Sequence, residues 1–176
     1  MNGVIKWLLL ASLLMVLVGC AAPGSVSLDS NLESAQLRHP ALSCAFEFDG
    51  ISDSIDQRRV QGYGYSGIDL ENLSTYIDKH IGSWLPDAFV NRQSMKLEVA
   101  LYRLYSENKS TATFFNVVFR VRAGTSEPEY LRGRYSSITW FGTPEEFQIS
   151  MQRAVNEALT ELHGRLEERC EETATY

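Results

Sequence analysis

Two runs of alternating apolar and polar residues restrict the fold of this chain more than anything else in it. In Met95-Lys-Leu97-Glu-Val99-Ala-Leu101 the apolar side chains fall on every second residue, and the run continues less regularly to Tyr105. From Thr113 to Ala123, Phe115, Val117, Phe119 and Val121 alternate in the same way with Asn116, Arg120 and Arg122. A period of two is that of a strand with one face buried and one face wet. The polar stretch Glu107-Asn108-Lys109-Ser110 reads as the turn between them, and Gly124 to Pro128 leads into a further strand from Tyr130 to about Phe141. Three successive strands with short links make an antiparallel meander.

The segments on either side read as helices. Leu70, Leu73, Ile77, Ile81 and Leu85 share one helical face, with Asp69 as a plausible N-cap and Pro86 as a stop. Thr143-Pro144-Glu145-Glu146 combines an N-cap threonine, proline in the first helical position and a glutamate three residues on, which together make a capping box. The helix it starts runs to about Arg169. Phe147, Met151, Ala154, Val155, Ala158, Leu162 and Leu166 form its apolar stripe, and Glu157, Glu161, Glu167 and Glu168 its wet side. Before the first helix, Leu42 to Phe48 alternates as another half-buried strand through Cys44, Phe46 and Phe48. The order β-α-β-β-β-α then gives an α+β fold. Its four-stranded, mainly antiparallel sheet carries both helices on one face, because only there can both apolar stripes be buried together.

The N-terminus carries an address. Lys6 precedes the apolar run Trp7 to Val16, too short for a bilayer span of about 20 residues and followed by no stop-transfer charge. Leu17-Val18-Gly19-Cys20 resembles the bacterial lipobox, in which small residues admit the peptidase and the cysteine is acylated. The resemblance implies a signal peptide over residues 1–19 and a mature chain beginning at lipidated Cys20, with a palmitate-type anchor in the membrane. Several acyl chains on one residue anchor firmly, each buried methylene adding about 0.8 kcal/mol. Ala21 and Ala22 follow the cysteine, and the lack of an aspartate there implies the outer membrane, facing the periplasm. Residues 20–40, rich in Ala, Ser and polar side chains with no sustained period, read as a tether in which His39 is exposed. Residues 41–176 then form one periplasmic domain.

Removing the leader takes away Lys6 and no acid, so the net charge moves from −6 to about −7. That balance argues against nucleic acid as a partner. Of the three cysteines, Cys44 and Cys170 remain after Cys20. In an oxidising compartment they are candidates for a disulfide near the two ends of the domain, the alternative being two inert buried thiols. Neither has a second cysteine two residues away, and His80 and His163 lie on separate helices without ligand-spaced neighbours, so no metal site is expected.

Gly62, Gly64 and Gly67 spell G-x-G-x-x-G ahead of a helix, but the segment leading in, Asp56 to Gln61, is polar where a dinucleotide fold needs a buried strand. We therefore expect no nucleotide and no cofactor, and read the glycines, with Tyr63 and Tyr65, as a turn or a bent strand edge. Asp53 and Asp56 fit a solvated loop as well as an acid–base pair, and no Ser stands in G-x-S-x-G. One surface stands out. On the outward face of the sheet, Arg120 and Arg122 lie near Arg132 and Arg134, with Tyr102, Tyr130 and Trp140 interleaved. Arginine with tyrosine and tryptophan is the composition of interface anchors, on a protein that is otherwise acidic. The same arginines could instead pair across strands with Glu98 and Glu129.

Lipobox, tether, strand, a loop with Asp56 and Arg58, helix, three-strand meander with Leu97 and Tyr105, then Trp140 and a last helix: this order resembles the YajG-like group of small outer-membrane lipoproteins over most of residues 43–168. The architecture is also similar to accessory lipoproteins of envelope transport and assembly machines. That resemblance implies an adaptor with an envelope protein as partner and no catalysis of its own. The other reading is a binding module for a lipid or an anionic glycan, held on the arginine face or between helices and sheet.

Overall fold

The computed structural model describes residues 25–26, 37, 39–53, 67–68, 70–85, 94–109, 112–138 and 143–174. Residues 1–19, Cys20, Asp56, Arg58, Asp69 and Trp140 lie outside them. In chain order the elements are β1 (Ser25–Val26), β2 (Phe46–Phe48), β3 (Ser52–Asp53), β4 (Gly67–Ile68), α1 (Leu70–Trp84), β5 (Met95–Lys109), β6 (Ala112–Ala123), β7 (Glu129–Ser137) and α2 (Pro144–Ala174).

The three-strand meander is present as β5, β6 and β7, antiparallel throughout. The chain returns through α1 so that β2, and two residues after Gly50 the short β3, both lie parallel to β5. Together they fill one edge position, giving a mixed and mostly antiparallel α+β sheet. Gly50 makes the bend between them at φ 105°, a conformation costly for residues with a Cβ. Asp78 of α1 fixes it, its Oδ1 accepting the Ile51 N–H at 2.7 Å.

Three details depart from the sequence pattern. The turn expected at Glu107–Ser110 is shorter, because Glu107, Asn108 and Lys109 still pair with Phe114, Thr113 and Ala112. And the register slips between Leu101 and Arg103, a β-bulge that sets Leu104 opposite Val117 and Arg103 opposite Val118. The sequence spells this out: Leu101 and Leu104 both need the core and are three residues apart, which strict alternation does not allow. The last strand ends at Ser137, short of Phe141, and Ile138 beyond it is 74% exposed.

Leu97, Val99, Leu101, Leu104, Phe115, Val117, Phe119 and Leu131 form the covered face and share one buried cluster with both helices. From α1 come Leu73, Ile77, Ile81 and Trp84, and from α2 the whole expected stripe together with Leu159 and Cys170. Phe115 meets Phe147 edge to face at 4.9 Å. Both halves of the capping box form: Thr143 Oγ1 accepts the Glu146 N–H at 3.2 Å, and the Glu146 carboxylate accepts the Thr143 N–H at 3.1 Å. Gly133 lets α2 lie directly on β7, since a Cβ there would sit 1.9 Å from the Ala154 carbonyl oxygen. At the free edge of β7, the Arg134 N–H donates to Glu157 Oε2 of α2 at 3.1 Å.

Cys44 and Cys170 are joined, with their Cα atoms 5.3 Å apart. The bridge ties the end of α2 to the residues leading into β2.

Candidate functional site: the uncovered sheet face

The opposite face of the same strands carries no helix among the described residues. Period two puts Lys96, Glu98 and Ala100 of β5, Asn116, Val118, Arg120 and Arg122 of β6, and Tyr130, Arg132 and Arg134 of β7 on it. The bulge adds Arg103 and Tyr105, which unbroken alternation would turn toward the core. Register sets Arg120 beside Tyr130, Arg132 beside Val118 and Arg134 beside Asn116. All four arginines are exposed, as is Tyr130 at 57%.

These side chains lie along the sheet and rest on one another. Tyr102 and Tyr130 meet edge to face at 5.0 Å. The guanidinium of Arg103 covers Tyr102 at 5.2 Å, that of Arg132 covers Tyr105 at 6.0 Å, and that of Arg134 covers Phe114 at 4.2 Å. Cations over ring faces are attracted by the ring quadrupole and keep their planar forks oriented. Asn116 is fully buried beneath them, its Oδ1 accepting from Arg132 Nε at 3.1 Å and also from the Arg132 NH2 group. Arg132 is therefore part of the scaffold of the face as well as of its charge.

Of the two cross-strand ion pairs that could neutralise the arginines, one forms. Glu98 binds Arg122 and Lys96, and hydrogen bonds from these two hold its carboxyl below the usual range. Glu129 is on the other face and pairs with Arg169 of α2. Arg120 makes no hydrogen bond or ion pair among the described residues. It borders an open groove of about 290 Å³ whose other walls include Asp49, Ser52, Lys96, Glu98, Arg122 and Pro128.

A second group of polar and aromatic residues lies at the opposite side of the molecule, where sequence reasoning left His39 exposed. Its ring is instead packed on Trp84 and His163. The burial of Leu37 and Leu42 on either side draws it in. Among the described residues no group of three or more His, Cys, Asp or Glu side chains is placed to hold a metal ion.

The chain matches no family model, and no curated protein matches it. Among solved structures it is similar to the crystal structure of protein XCC0632 from Xanthomonas campestris, of the family DUF330. The TM-score is 0.50 at 15% sequence identity, over 89% of this chain and 99% of that one. The likeness is one of fold, to a bacterial protein spanning nearly the same length.

Proposed function

We propose that the protein is a bacterial envelope lipoprotein, anchored through acylated Cys20 to the outer membrane and facing the periplasm. It works there as a non-catalytic adaptor that docks an acidic surface of an envelope protein onto its uncovered sheet face. The observation that carries this reading is the stacked arginine and tyrosine array of β5, β6 and β7. A chain of net charge −6 concentrates exposed arginines on one rigid face, and their forks are already oriented by aromatic rings. Such a face offers bidentate contacts to carboxylates with little side-chain ordering left to do on binding.

The groove beside Arg120 favours a second reading, in which the same face holds the phosphate or carboxylate of a lipid or glycan. Crosslinking in cells followed by purification from solubilised envelope separates the two. The variant to compare with wild type is Arg120→Glu/Arg134→Glu, which reverses charge without removing the donor that Asn116 needs. A defined protein partner, lost in the variant, is the expected result. Copurifying lipid or glycan without a protein partner would overturn the adaptor reading in favour of the binding module.

A further inference from the structure

The segment leading into the domain is held by a pair of stacked imidazoles, and the chemistry of that pair is independent of the sheet face. Leu37 and Leu42 are buried, and the Leu42 N–H donates to the Trp84 carbonyl at 2.8 Å. Between them the His39 ring lies 4.5 Å from that of His163, only 18° from parallel, with Trp84 edge-on to both.

The hydrogen bonds fix how each ring is used. Pro40 O can only accept, so His163 Nε2, 2.9 Å away, carries a proton and donates. The hydroxyl proton of Thr160 goes to Asn156 O at 2.9 Å, which leaves Thr160 Oγ1 to accept from His39 Nε2 at 3.3 Å. One proton per ring satisfies these contacts, so the docked arrangement is complete with both imidazoles neutral. A second proton on either ring finds no acceptor in these contacts and faces another imidazole across the stack.

We infer that residues 37–42 are an acid-releasable clasp, held against the end of α1 and the middle of α2 while His39 is neutral and let go when its ring becomes charged against that of His163. Among the described residues, the charged or ionisable groups that act on His39 and its neighbour His80 are His163 from α2 and Lys79 from α1, and no carboxylate is among them. Burial first, and then His163, hold His39 below its ordinary value of 6.5. Burial, then Lys79 and His39, lower His80 likewise. The docked state therefore binds fewer protons than the released one. Docking is at full strength above about pH 6.5 and weakens as pH falls through the depressed values.

The test measures the position of residues 37–42 directly in the full chain in detergent micelles. Nitroxides at Ala41→Cys, which is exposed, and Lys109→Cys report the distance between the segment and the tip of the β5–β6 hairpin at about pH 7.5 and about pH 5, either side of the histidine range. Wild type should give a narrow distribution at the higher pH and gain a longer, broader component at the lower. His39→Gln/His163→Gln, which keeps an amide donor at each Nε2 position without a titrating ring, should stay narrow at both. The clasp is overturned if wild type does not change, or if the double variant releases at low pH as wild type does. His39→Gln alone removes one ring from outside the helices, so the comparison survives even if the His163 substitution perturbs folding.

Discussion

The two faces of one sheet, built by alternate residues of the same three strands, are finished in different ways. On the covered face Val117 and Phe119 vanish under two helices, and Gly133 gives up its side chain so that α2 can lie on the backbone. On the other face Asn116 is buried just as completely, but by an arginine from the neighbouring strand. One face is closed by hydrophobic area, which is non-directional and strong. The other is closed by its own cations and rings, which are oriented and individually weak. Stability should therefore reside on the first face, with the second free to be used for recognition.

That division can be broken or sharpened by substitution. Cys44→Ser/Cys170→Ser releases the end of α2 from β2 and should cost the most. For a closed loop with a sequence separation of 126, chain entropy alone gives about 5 kcal/mol, read as a lower urea midpoint. Phe119→Ala empties the centre of the covered face and should cost about 3 to 5 kcal/mol. Gly133→Ala forces a Cβ into the backbone of α2 and should cost about 1 to 3 kcal/mol, visible in the same unfolding curve. Arg120→Glu/Arg134→Glu belongs to the other face and should move stability by no more than about 0.5 kcal/mol while abolishing partner capture. A large loss of stability in that last variant would show that the two faces are not separable.

Most of this architecture was legible from the chain. The period of two in β5 and β6, the period of the helices and the capping box at Thr143 are local signals, and each element stands where its pattern put it. The parallel return of β2 and β3 to β5 was not legible, because short edge strands carry too few residues to show a preferred neighbour. Placing Arg103 and Tyr105 on the arginine face required the bulge, whose only trace is the odd spacing of Leu101 and Leu104. His39 was misread because two isolated leucines, Leu37 and Leu42, have no period, although their burial decides where the histidine goes. The four arginines were legible as a surface. Their stacking on Tyr105 and Phe114 depends on cross-strand diagonals that only the register supplies.

The carboxylate of Glu157 bears on how any partner can approach. An edge strand invites a foreign strand to extend the sheet, and the Arg134 amide is one of the donors such a strand would have to use. Glu157 already occupies it from the helix above, placing a negative charge where an incoming carbonyl would have to sit. At this position the rim is closed to an added strand.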